Sequence, residues 1–255
     1  RHHAPICTNM RIAILPRIRD GFGNLRRSPG RTLLRWTAKA ILGFVFLSFV
    51  LVIFYKWVPV PITATMILDE EVWEHGLSKD WESLDSIDRN LVSAVIAAED
   101  GKFCSHNGFD AEAIAKAAAR NAQGGRIRGG STITQQTAKN VFLWQGGGYF
   151  RKGIEAWFAF LIEQIWGKQR IMEVYLNVAE TGIATYGAEA GAQRYFGHSA
   201  ARLPQSEAAR MAAALPLPKQ RPVVNPTGFT RRYANTISAR MGVVRRDGLD
   251  SCVYD

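Results

Sequence analysis

Apolar positions recur at helical spacing along most of residues 84 to 215. Leu91, Val92, Val95 and Ile96 form one stripe, and Phe150, Ile154, Phe158, Leu161 and Ile165 form another. The spacing predicts helices over 88–99, 110–122, 132–143, 149–166, 168–179, 186–195 and 205–214. Ala-rich runs such as "AEAIAKAAARNA" favour helix and let helices approach closely. Strict alternation of Val, Ile and Thr is absent, so the expected domain is all-α, with at most a short hairpin or irregular region at its membrane-proximal end. The Pro-rich "LPLPKQRPVVNP" at 215–226 should stop the helical run, and one more basic helix and tail follow over 227–255.

A different pattern lies upstream. "AILGFVFLSFVLVIFY", residues 40–55, carries no charge, and a snorkelling Lys56 extends the apolar segment to about residue 58. A membrane span needs about 20 apolar residues, so 40–58 reads as one slightly short transmembrane helix. A cleaved signal peptide is the weaker reading, because its apolar region is usually shorter and "VPITA" is a poor cleavage sequence; a buried core helix is the other alternative. The net charge of +10 changes the picture only through its placement. Residues 1–39 hold nine Lys or Arg against the single acid Asp20, and the rest of the chain is close to neutral. This basic leader is expected in the cytoplasm, with the remainder beyond the membrane. It also removes the case for nucleic acid as a partner, since the basicity acts as a topology signal. Residues 59–83 form a mixed, partly amphipathic connector, and 84–226 the main domain.

The chemistry-bearing stretches begin with "AAEDGKFCSHNGFD", residues 97–110. Glu99 follows Val92 by seven and Val95 by four, which places it on the buried stripe, with Asp100 pointing off it. A carboxylate there is either paired or raised in pKa and ready for proton transfer. In "GGRIRGGSTITQQTAKN", residues 124–140, Thr132 and Gln135 have capping-box spacing. Glycines, a helix N-terminus and Lys139 one turn after Gln135 suit an anion, although a well-capped helix after a glycine loop has the same appearance. Arg151 and Glu155 stand at i, i+4, the geometry of an ordinary surface ion pair. Glu173 and Asn177 share a helix face and suggest a bond between helices. Cys104 and Cys252 allow one disulfide that nothing in the sequence requires, and the five His and three Cys show no zinc spacing.

Taken in order, "EDGKFCSHNGFD", "GGSTITQQTAKN", "RKGIEAWF", "KQRIMEVYLNVAETG", "YGAEAGAQRYFG" and "LPQSEAARMAAALPLP" resemble the successive motifs of the peptidoglycan glycosyltransferases of family 51, over about residues 60–225. No SxxK or KTG occurs, so a transpeptidase site is absent. The resemblance implies a lysozyme-like helical head with a small membrane-proximal jaw behind one transmembrane helix. It implies polymerisation of lipid II with release of undecaprenyl pyrophosphate, in the inner membrane of a single-pass protein. Glu99 matches the base that takes the proton from the acceptor 4-hydroxyl, and Glu155 the second acid. The implied substrate-binding set is Asp100, Phe103, His106, Gly130, Ser131, Thr132, Gln135, Gln136, Lys139, Asn140, Arg151 and Lys152. The resemblance further implies no tightly bound cofactor, assistance from a divalent cation such as magnesium, and as partners lipid II, the growing glycan, the membrane and proteins of cell division or elongation. One departure stands out: where the family commonly has Arg, four residues before the Arg-Lys pair, this chain has Gly147, and Arg126 or Arg128 would have to supply that phosphate contact. The rival readings are a lytic transglycosylase or lysozyme-like hydrolase using Glu99 as an acid, and a membrane-tethered, non-catalytic wall scaffold.

Overall fold

The computed structural model describes residues 29–122 and 130–254. Arg126 and Arg128, and most of the basic leader, lie outside them. The chain divides into two compact units, Arg1–Phe44 and Val45–Asp255. Helix α1 runs over Pro29–Trp57 and so begins well before residue 40, where the uncharged run starts. Proline suits the first position of a helix, and the Arg, Leu, Ala and Lys that follow are helix formers, so the leader's last residues are helical too. An 18-residue window within Gly30–Trp57 has a mean hydropathy of 2.3, and the helix is long and apolar enough to cross a membrane.

In the second unit, short helices α2 (Ala64–Ile67) and α3 (Glu70–His75) and strand β1 (Ser78–Lys79) form the connector. Thr63 and Asp69 cap the two helices through their side chains. The main domain consists of α4 (Arg89–Glu99), α5 (Ala111–Ala122), α6 (Ile133–Phe142), α7 (Gly148–Ile165), α8 (Lys168–Val178), α9 (Ala188–Phe196), α10 (Gln205–Ala214), α11 (Gly228–Arg246) and α12 (Ser251–Tyr254). The head is all-α, as the periodicity and the resemblance led one to expect, and every helix read from the spacing is present within about two residues. Strands β2 (Glu180–Gly182) and β3 (Thr185–Tyr186) make a minimal hairpin, with β1 added parallel to β3.

Helix α4 is the centre of the packing. Val92, Ala94, Val95 and Ile96 are fully buried, and the helix lies against α10 and α11. Ala208, Ala209, Ala212 and Ala213 of α10 are buried as well, and their small side chains permit the close approach. Tyr233 of α11 donates to the Ala98 carbonyl at 2.9 Å, beside Glu99. On the next layer α6 packs between α7 and α8. Arg170 of α8 donates to the carbonyls of Tyr55 and Val58 at 2.9 and 2.7 Å, satisfying acceptors that the end of α1 leaves open. Asn177 binds Glu82 through both backbone groups at 2.8 Å and the Glu173 carbonyl of its own helix at 2.8 Å, so it ties α8 to the irregular segment before α4 and does not bond a second helix as its spacing suggested.

The C-terminal tail straps α4 at both ends. Asp250 is fully buried, receives Arg89 at 2.9 and 3.1 Å and Ser93 at 3.2 Å, while Cys252 forms a disulfide with Cys104. This bond closes a sequence separation of 148 residues and ties down the loop that leaves Glu99. Disulfides of this kind stabilise by about 2–4 kcal/mol. Cys252→Ser should therefore lower the melting temperature by roughly 4–16 °C for a domain of this size. Thermal unfolding followed by circular dichroism checks it; an unchanged midpoint would show that the strap holds through Asp250 alone.

Candidate active site

The site grows from the end of α4. Asp100 leaves the helix with a non-helical backbone (φ −157°), so the helical-wheel placement that put it off the buried stripe does not apply. It is buried: both carboxylate oxygens lie 3.0 Å from His106 Nε2, and Oδ2 accepts the Ile133 amide at 3.0 Å. A carboxylate on the first turn of α6 also complements the helix dipole. Thr132 and Gln135 form the expected capping box, with Thr132 Oγ1 donating to the Gly108 carbonyl at 2.7 Å. Asp100 and Thr132 thus pin the 100–110 loop to α6, which fixes Glu99 relative to α6.

Glu99 is half-buried and accepts a hydrogen bond from Gln136 Nε2 at 2.9 Å. Burial pushes its carboxyl above the ordinary range, against the pull of Gln136, Arg221 and Lys139. Lys139 follows Gln136 by three residues on α6, hence on the same face. Burial pulls the Lys139 ammonium down, with Glu155 opposing and Arg151 and Lys152 reinforcing. Glu155, 2% exposed, pairs with Arg151 Nη1 at 2.7 Å and with Lys152, whose Nζ also donates to Ser131 Oγ at 2.9 Å. A buried carboxylate thus holds two cations in place, and both are near enough to act electrostatically on a third, Lys139. The pair that looked like a surface bridge is a buried one.

The residues that the resemblance assigned to substrate fall into two groups. Glu99 and Gln136 form one hydrogen-bonded pair and Ser131, Arg151, Lys152 and Glu155 a second network, with Lys139 electrostatically coupled to both. Phe103 does not reach the cleft: it is fully buried, with Lys168 Nζ 4.6 Å from its ring centre. The side chains of His106, Thr132 and Gln135 are committed to the loop and the cap. Gly130 lies against α5, where a Cβ would sit 3.2 Å from the Ala113 carbonyl and the Ile114 Cα. Asn140 uses its carbonyl to accept Thr65 Oγ1 at 3.2 Å, joining α2 to α6. Gly147 has φ +84° in a run of three positive-φ glycines, and a Cβ there would stand 2.8 Å from the Arg151 Cβ. An Arg at 147 is therefore incompatible with this turn, in which Arg151 folds back onto the Gly146 carbonyl.

Gln136, Lys139 and Asn140 open into a cleft of about 570 Å³, whose far wall carries Asp69, Glu180, Tyr186 and Lys219. Lys219 pairs with Asp69 at 2.5 Å, and Tyr186 donates to Asp69 at 2.7 Å. Although burial pushes the Asp69 carboxyl up, these bonds hold it below its ordinary value. No periodic signal marks these four residues, which come from a cap, a hairpin and a Pro-rich loop. Among the described residues the one group of three able to share a cation is Glu71, Glu74 and His75 on α3, the first half-buried and the other two exposed. Glu99 Oε2 accepts from Gln136, which leaves Oε1 without a hydrogen bond among the described residues, whereas both oxygens of Glu155 are taken up by Arg151 and Lys152.

The transglycosylase family's sequence pattern matches residues 67–242. The chain belongs to this family. Relatives named biosynthetic peptidoglycan transglycosylase share 53% identity in Caulobacter vibrioides, over 80% of this chain and 89% of theirs. The Rhodospirillum centenum protein of that name is 46% identical, over 88% and 96%, and the one from Pseudomonas putida KT2440 48% identical, over 84% and 90%. The transglycosylase pattern spans α3 through most of α11, so the cleft and both carboxylates lie within it.

Proposed function

We propose that this peptidoglycan glycosyltransferase polymerises lipid II, with Glu99 as the base and Lys139, Arg151 and Lys152 as the site for the departing pyrophosphate. The observation that carries the reading is the placement of a raised-pKa carboxylate one hydrogen bond from Gln136, on the α6 face that presents Lys139. Glu99 removes the proton of the acceptor 4-hydroxyl as that oxygen attacks the donor's anomeric carbon; the anomeric C–O bond breaks and the electron pair leaves on undecaprenyl pyrophosphate. Preorganised cations stabilise the charge that develops on the leaving group, and Glu155 keeps Arg151 and Lys152 in position. The apolar N-terminal helix anchors the chain in the inner membrane, its basic end in the cytoplasm, which confines enzyme and lipid-linked substrate to one surface. A hydrolase acting on a neutral glycosidic oxygen has no use for three neighbouring cations.

Incubating the detergent-solubilised protein separately with lipid II and with preformed glycan separates these readings. Polymer and free undecaprenyl pyrophosphate from lipid II, with the glycan intact, support a synthase; cleavage of the glycan would support the lytic reading. The pH profile adds a second check. Glu99 acts when deprotonated and its pKa is raised, so kcat/KM should fall on the acid side at a pH above the ordinary glutamate range. Lys139 acts when protonated and its pKa is lowered, so the alkaline fall should come before that of an ordinary lysine. An acid limb that persists in Glu99→Gln would assign it to another group.

A further inference from the structure

The far wall of the cleft contains a carboxylate that the proposed reaction leaves unused. Glu180 follows α8 at the start of β2, and its Oε1 is buried with no hydrogen-bond partner among the described residues. Lys219 Nζ stands 3.5 Å from that oxygen, close enough for an ion pair, but its short contact is with Asp69. The cleft is polarised: Lys139, backed by Arg151 and Lys152, marks one side, and Asp69, Glu70, Glu71 and Glu180 line the other. An acidic wall rejects phosphate and accepts hydrogen-bond donors. Burial also pushes the Glu180 carboxyl up, against the pull of Lys219.

We propose that Glu180 is a saccharide-binding residue, its partly exposed carboxylate accepting a hydrogen bond from a hydroxyl or amide N–H of the sugar held beside the pyrophosphate. The proposal rests on the reading of this cleft as the lipid II site. It assigns Glu180 to binding rather than to the proton transfer, which belongs to Glu99. Lys219 keeps Asp69 as partner when Glu180 is replaced, so the fold does not depend on the carboxylate.

Steady-state kinetics on lipid II with the full-length protein, beside melting curves, test it. Glu180→Ala should raise KM about tenfold with kcat within about twofold, and Glu180→Gln, which keeps a carbonyl acceptor, should restore KM to within about threefold. A wild-type KM in Glu180→Ala would overturn the proposal while leaving the polymerase reading intact. Equal loss in both variants, accompanied by a lowered melting temperature, would also overturn it, because the residue would then be structural. A folded wild type that does not turn over lipid II would instead remove the parent reading and this one with it.

Discussion

Glu99→Gln lowers the rate of polymerisation by about 10²–10⁴-fold, the usual contribution of a positioned general base. The variant keeps the shape of the side chain and loses only the ability to take a proton. Its fold should be intact, and its melting temperature no lower than that of the wild type, because a half-buried carboxylate with a raised pKa gives way to a neutral amide. Gln136 can still donate to the new carbonyl oxygen. The measurement is initial rate at saturating lipid II together with a melting curve. Near wild-type turnover from a folded Glu99→Gln would assign the base elsewhere. Loss of activity together with loss of the cooperative transition would point to a structural role instead.

Lys139→Ala carries the next largest effect. Removing one preorganised charge donor from a site where charge develops costs about 10²–10³-fold in kcat. Lys139 is the cation nearest the base along α6, separated from it by Gln136, and it is half-buried, so solvent screens it less than an exposed lysine. Glu155 holds Arg151 and Lys152 through direct contacts, and those contacts do not involve Lys139. The loss should therefore be confined to the leaving-group step and be visible as slower release of undecaprenyl pyrophosphate. Lys139→Arg should recover part of the rate, since it restores charge with a different shape. Wild-type release rates from Lys139→Ala would contradict the assignment of this cluster to the pyrophosphate.

The helices were legible because their information is periodic. The stripe Leu91, Val92, Val95, Ile96 requires α4, and the Thr132–Gln135 capping box marks the start of α6 through the chemistry of two side chains. Glu99 and the Arg151–Lys152–Glu155 group could be found for the same reason, with the resemblance supplying their roles. Asp100 is misplaced by periodicity because periodicity ends where the helix ends: one residue beyond Glu99 the backbone leaves the helical conformation and the carboxylate meets His106 and the Ile133 amide. Phe103 looked like a cleft residue from its motif, but an aromatic that covers the loop's underside is required by the core. The pairing of Cys104 with Cys252, and of Lys219 with Asp69, joins residues more than a hundred positions apart across loops without pattern. Such long-range contacts are decided by packing, and the local sequence does not carry them.

The most direct test runs lipid II polymerisation by wild type and Glu99→Gln side by side, resolving products by length on a gel. The account predicts long glycan strands from the wild type and unreacted lipid II from the variant. Strands of equal length and yield from both would contradict it.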